Sequence, residues 1–248
     1  MYLFGGSYNF NSNPNVYCLD LRKFNWELIK VRGDVPAARD EHTAVLHDET
    51  VILFGGFVSG ERTSEMFKYH IPSKTWEKIE LADPSEPQPC PRAGHSAIIY
   101  DHSQGRYTNP DDGAPSGPGM YIFGGKDEEN NKLNDLWCYH LDSNRWEHIV
   151  VSDPESVPMA RSGHSANVYM DQMVIFGGIF EITKELNDMP LFDLKNRRWV
   201  HLFEETKQSS PIKTGLGGLS PMRRKTIVKM GLAQESPGPG MSLNKSTS

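Results

Sequence analysis

Four runs ending in Phe-Gly-Gly stand at Phe4-Gly5-Gly6, Phe54-Gly55-Gly56, Phe123-Gly124-Gly125 and Phe176-Gly177-Gly178. Each is followed, 20 or 21 residues after its second glycine, by a tryptophan: Trp26, Trp76, Trp146 and Trp199. A period near fifty means one supersecondary unit made several times, with neighbours covering each other's apolar faces. The tryptophans are 50, 70 and 53 residues apart, and the long interval holds one insertion, 101–119, rich in Asp, Gly, Pro and Ser. Removing it restores the period.

Three copies are preceded by a second shared element: Arg39-Asp40-Glu41-His42, Arg92-Ala93-Gly94-His95 and Arg161-Ser162-Gly163-His164. Each opens a short apolar run. Within the unit the period is two: Tyr17/Leu19/Leu21, Phe67/Tyr69/Ile71, Trp137/Tyr139/Leu141 and Phe192/Leu194 alternate with more polar neighbours. Alternation of this kind reads as strands with one face more buried. Gly-Gly at the end of a strand allows a bend where another chain segment comes close. Pro72-Ser73-Lys74, Asp142-Ser143-Asn144 and Lys195-Asn196-Arg197 supply a tight turn before each tryptophan. The chain is therefore expected to be all-β with four antiparallel strands per repeat, the repeats spanning about 1–30, 37–81, 90–150 and 159–202. The tryptophans are expected to fill the spaces between units.

A four-stranded meander repeated at about fifty residues resembles the kelch-repeat family, whose repeats form blades of a β-propeller. Residues 1–202 carry the resemblance, most specifically in Pro158-Met159-Ala160-Arg161-Ser162-Gly163-His164. Repeat one begins at its second strand, and no further Arg-x-x-His or apolar-Gly-Gly unit follows Leu202. That predicts about four blades in an incomplete, open ring, with a four-blade ring closed on itself as the alternative. The resemblance implies that kelch rings need about six or seven blades, although propellers as a class run from about four to eight. A start at Met1 inside a strand suits a fragment or isoform, and uncovered end blades suggest self-association.

The overall net charge of −6 divides into +6 on 206–248 and −12 on the residues before it. The segment 203–248 is rich in Ser, Gly, Pro and Lys and is expected to be a disordered basic tail. Its run Arg223-Arg224-Lys225-Thr226 resembles a basophilic kinase site, and Ser210-Pro211, Ser220-Pro221 and Ser236-Pro237 resemble proline-directed ones. No apolar stretch approaches the roughly 18 residues of a membrane helix, and Met1-Tyr2-Leu3-Phe4 predicts no signal peptide. A cytoplasmic location is expected, with nuclear import through Arg223 to Lys225 as the variant; nucleic-acid binding is not expected. The three cysteines have neither disulfide nor zinc spacing, and Cys18 and Cys138 share one repeat position as plain strand residues.

His42, His95 and His164 recur at one place in successive repeats, which argues for repeated local packing rather than a shared metal site. The same reasoning applies to Arg39, Arg92 and Arg161, although an arginine at a strand start on the loop face can also grip a partner's carboxylate bidentately. Neither nucleophile elbow, phosphate-cradling loop nor isolated carboxylate pair is present. No metal, cofactor or small-molecule substrate is expected. The resemblance implies a non-catalytic protein-interaction scaffold, with a ubiquitin-ligase substrate receptor or a trafficking or cytoskeletal effector as alternatives. Enzymes of the galactose-oxidase or sialate-mutarotase type are the remaining class. Antiparallel blades place the second-to-third-strand loops and the blade connections on one face. The segments 7–14, 57–64, 126–132 and 179–184 and the three arginines fall there. The residues expected to touch a partner are Arg39, Arg92, Arg161, Glu61, Arg62, Lys126 and Asp127.

Overall fold

The computed structural model describes residues 1–9, 11–104, 117–182 and 184–201. The expected disordered tail at 203–248 and the middle of the insertion lie outside these residues. Blade 1 comprises β1 (Tyr2–Phe4), β4 (Val16–Asp20) and β5 (Asn25–Ile29), with a short hairpin of β2 (Ser7–Tyr8) and β3 (Asn11–Ser12) set into its loop. A two-residue strand, β6 (Arg32–Gly33), follows. Blade 2 is β7 (Thr43–His47), β8 (Thr50–Phe54), β11 (Met66–His70) and β12 (Thr75–Lys78), with the hairpin β9 (Phe57–Val58) and β10 (Glu61–Arg62) in the loop. Blade 3 is β13 (Ser96–Asp101), β14 (Pro118–Lys126), β15 (Lys132–His140) and β16 (Arg145–His148). Blade 4 is β17 (Ser165–Tyr169), β18 (Gln172–Phe176), β19 (Pro190–Asp193) and β20 (Arg198–His201). The fold is an all-β propeller arrangement of antiparallel meanders, broken among the described residues by short 3-10 turns at His102–Gln104 and Pro154–Ser156.

Register explains the alternation. Tyr69 stands opposite both Trp76 and Val51, so the three share a face, and the intervening Lys68 stands opposite Ile52 and Glu77 on the other. Three apolar clusters result, one for each pair of consecutive blades. Each is keyed by the phenylalanine of one Phe-Gly-Gly against the tryptophan of the next blade: Phe4 on Trp76 at 5.5 Å, Phe54 on Trp146 at 5.1 Å and Phe123 on Trp199 at 5.1 Å between ring centroids. Trp76, Trp146 and Trp199 thus fill the junctions as expected. Trp26 instead lies on the outer side of blade 1 at 46% exposure, and Phe176 on the outer side of blade 4 at 55%.

Three details depart from the sequence reading. First, β6 adds a parallel edge strand to β12 of blade 2, through Arg32 and Gly33 opposite Thr75 and Trp76. Gly33 holds φ +80°, and a Cβ there would stand 2.0 Å from the Trp76 carbonyl oxygen, so only glycine makes this approach. Second, in blade 3 the strand does not end at Gly-Gly: β14 runs on to Lys126 across a register shift between Phe123 and Gly125. Third, the insertion 101–119 is not polar loop throughout. Its first residues close β13 and form a 3-10 turn whose His102 is buried against Tyr121, and its last two begin β14.

Candidate partner-binding face

The Arg-x-x-His segments meet the second-to-third-strand loops through bridges at Asp40 with Phe57, Ala93 with Lys126 and Ser162 with Ile179. They also join one another: the Gly94 N–H donates to the Glu41 carbonyl and the Gly163 N–H to the Gly94 carbonyl, both at 2.8 Å. Glu41, Gly94 and Gly163 all take the left-handed backbone region, so Glu41 bears a side chain where the other two repeats have glycine. Its carboxylate reaches across the blade boundary to Lys126 at 3.0 Å.

Arg39, Arg92 and Arg161 are buried, and their donors are spent inside their own blades. The placing turns their guanidinium groups into the blades. Arg92 Nη1 donates to the Gly124 carbonyl at 3.1 Å, and its two Nη atoms grip both oxygens of Asp135 at 2.7 Å. Arg161 does the same with the Gly177 carbonyl and Asp188, whereas Arg39 donates from Nη1 to the Gly55 carbonyl and from Nη2 to one oxygen of Glu65 at 3.0 Å, the other oxygen being taken by Lys78. A guanidinium carrying its charge into a buried position must be paired this way or it costs several kcal/mol. Burial opposes ionisation of Asp135, but the hydrogen bonds and charge of Arg92 together with the hydrogen bond from the Trp137 indole outweigh it and hold the carboxyl below its ordinary range. Glu65 is likewise lowered despite its burial, by Lys78 and Arg39.

Glu65, Asp135 and Asp188 were not singled out in the sequence. Their signal is an acidic residue eleven positions before each tryptophan, just ahead of the third strand in blades 2 and 4 and within the longer β15 in blade 3, 26, 43 and 27 residues after its arginine; the insertion obscures the shared spacing. Asn15 holds the same position in blade 1.

The histidines sit at the junctions. His95 Nε2 lies 2.8 Å from the Thr43 hydroxyl of the preceding blade, and His164 Nε2 lies 2.8 Å from the Ser96 hydroxyl. Each ring also packs where the preceding Phe-Gly-Gly turns: a Cβ on Gly55 would meet His95 Cε1 at 3.0 Å, and one on Gly124 would meet His164 Cε1 at 3.1 Å. Burial first, then Arg39 and Arg161, pushes His42 and His164 down to about 4, and burial with Arg92 takes His95 well below its ordinary value. Their Nδ1 atoms lie against the backbone of Phe4, Phe54 and Phe123, outside hydrogen-bond geometry. These are neutral packing histidines. Among the described residues no group of three His, Cys, Asp or Glu side chains stands together as a metal site, and no helix is long and apolar enough to cross a membrane.

The residues left facing outward are on the loops. Glu61 is exposed and Arg62 half-buried; Arg62 donates to Asn130 Oδ1 of the next blade's loop at 2.7 Å and lies over the Phe57 ring at 5.7 Å. Asp127 turns its oxygens into its own loop, accepting from the Glu129 and Asn131 amides at 3.0 and 2.8 Å. It shapes the loop that Lys126 and Lys132 flank. Burial lowers the pKa of Lys132, helped by Lys126 and opposed by Glu41.

The KLHDC2/KLHL20/DRC7 Kelch-repeats domain model matches residues 1–107 and 114–236. The chain belongs to the kelch-repeat family. The match breaks off and resumes inside the insertion, and it runs past residue 202 into sequence outside the described residues. The kelch chain is 29% identical over 210 residues to human host cell factor 1, covering 71% of this chain and 9% of that protein. It is 28% identical over 248 residues to human host cell factor 2, covering 92% of this chain and 28% of that protein. A Drosophila melanogaster leucine-zipper-like transcriptional regulator 1 homolog is 27% identical over 202 residues, covering 79% of this chain and 19% of that protein. The kelch chain therefore corresponds to a small part of each of these relatives.

Proposed function

We propose that this kelch chain is a non-catalytic protein-interaction scaffold that holds its partner on the loop face, through Glu61, Arg62, Lys126 and the loop shaped by Asp127. The observation that carries the reading is the division of labour among the charged residues. The repeated arginines and histidines are consumed in holding blades together, whereas the residues that differ between repeats face outward on neighbouring loops tied by Arg62 to Asn130 and Lys126 to Glu41. Variable loops on a rigid repeated frame are where recognition is placed. Membership of the kelch family supports a binding role in general.

Affinity capture with quantitative mass spectrometry tests the reading, comparing the chain with a variant carrying Glu61→Lys, Arg62→Glu and Lys126→Glu. These residues lie on the surface, so the fold should survive the changes. Proteins retained by the unaltered chain and lost by the variant are the expected outcome. An unchanged set of captured proteins, with both forms folded by circular dichroism, would overturn it.

A further inference from the structure

The blades' other face, where the tight turns lie, packs unevenly from junction to junction. One position on the second strand, two residues before the phenylalanine of Phe-Gly-Gly, decides the difference: Tyr2 in blade 1, Ile52 in blade 2 and Tyr121 in blade 3. Tyr2 stands opposite Cys18 and Tyr121 opposite Cys138, whereas Ile52 stands opposite Lys68. At the junction of blades 3 and 4 the Tyr121 ring is buried, with its hydroxyl 2.6 Å from His102 Nε2; Tyr100 donates to Asp171 at 2.7 Å, and Arg197 reaches from blade 4 to Glu147 at 2.5 Å. That junction is filled.

The junction of blades 2 and 3 lacks both tyrosine rings and the guanidinium. Ile52 replaces the tyrosine, His47 holds the place of Tyr100, and Asn144 that of Arg197, with the same left-handed backbone at Asn144 and Arg197. Glu77, which pairs with Lys68 in the register that places Glu147 by Cys138, has only the half-exposed Lys68 ammonium at 2.9 Å. A cleft of about 430 Å³ opens there, floored by Ile52, Ile79, Tyr139 and Leu141. Its rim is polar and carries both signs of charge, with Asp48, Glu77 and Glu80 beside Lys68 and Lys78. A concavity of this size with an apolar floor is a binding site in form.

We propose that this cleft docks an extended segment of a partner protein that presents an aromatic side chain with an arginine beside it. The flanking junctions identify the occupant, since each places a tyrosine ring at this position, and one adds a guanidinium on the matching glutamate. The incoming ring covers Ile52, Ile79 and Leu141. The guanidinium takes Glu77 in place of Lys68, where its planar fork fits a carboxylate better than an ammonium does. The site lies on the opposite side from the loop face and stands independently of the binding role proposed there.

A photo-crosslinking peptide, acetyl-Gly-benzoylphenylalanine-Arg-Gly-amide, tests this on the full chain, with crosslinks mapped by mass spectrometry. Crosslinks concentrated on the segments bearing Ile79 and Leu141 are expected. Acetyl-Gly-Tyr-Arg-Gly-amide should compete for them, whereas its Ala-Arg counterpart should not. Ile52→Tyr, which copies the neighbouring junctions, should lower the yield about tenfold, and Glu77→Gln about two- to fivefold, as an exposed ion pair allows. Crosslinks scattered over the surface, or competed equally by the alanine peptide, overturn the proposal, and that series needs no variant to fold.

Discussion

At the scale of single residues, the repeated charges are structural because each is enclosed with its counter-charge. Arg92 is fully buried and Asp135 only partly, so removing the acid leaves a guanidinium without its partner inside the blade. Asp135→Ala is expected to cost about 3 kcal/mol or more in urea titration, while Arg62→Ala on the loop face should cost well under 1 kcal/mol. Equal losses would show that the buried pair is not what holds the segment. The histidines add a pH dependence. Free imidazole titrates near 6.5, and in the folded chain His42 and His164 titrate at about 4. Between those values the unfolded chain binds more protons, so the stabilisation present above about pH 6.5 is lost as pH falls toward 4, by up to about 3 kcal/mol per histidine. Denaturation midpoints measured from about pH 7.5 down to about pH 5 should fall steadily. A flat profile would mean that the rings titrate alike in the native and unfolded chains. The arginines and histidines were legible as a motif, but their enclosure was not, because it depends on Glu65, Asp135 and Asp188. Acidic residues are common throughout this chain, and only the three-dimensional pairing separates these three from the rest.

At the scale of strands and junctions, the Phe-Gly-Gly and tryptophan markers were legible because they are tied to geometry a sequence can show, although Trp26 fills no junction among the described residues. The glycines have left-handed backbone, and the rings alternate at period two. Trp76→Ala should cost about 3 to 5 kcal/mol, since the ring is buried against Phe4, Phe67 and Tyr69. Trp26→Ala should cost far less, its ring being nearly half exposed. Gly124→Val should be severe, because a Cβ would stand 2.7 Å from the Arg161 carbonyl oxygen at a φ of +65°. Matching losses for Trp26 and Trp76 in urea titrations would refute the junction assignment. The edge strand β6 escaped the sequence reading because Arg32 and Gly33 show no alternation; a two-residue pairing with the distant Trp76 strand leaves no local trace. The buried start of the insertion was hidden for a related reason: His102 looks like loop until Tyr121 is seen beside it.

At the scale of the whole molecule, the four blades among the described residues share three junctions, and the two outer sides carry the halves of the same contact that no described residue covers. Leu3, Trp26 and Leu28 are exposed on one, and Phe176 on the other. Apolar surface of this kind seeks cover. Expressed as this chain alone, the protein is expected to self-associate, and the pair Trp26→Lys with Phe176→Glu should raise the monomer fraction seen by light scattering. A clean monomer of the unaltered chain would sink the expectation. The short first blade was legible from the count of repeats, since three Arg-x-x-His starts for four Phe-Gly-Gly runs left one blade short of a strand.

The keying of each phenylalanine to the next blade's tryptophan bears on how such a chain can be cut and recombined. A graft bounded at the blade edges would separate every ring from its mate and ask two unrelated surfaces to fit. A graft from one Phe-Gly-Gly to the tryptophan of the next blade, such as Phe4 to Trp76, would carry both mates of a junction and leave the seams inside blades, where hydrogen-bonded strands tolerate new side chains. For engineering, the transferable module is therefore the gap between two blades, and a library of interchangeable parts would be indexed by gaps.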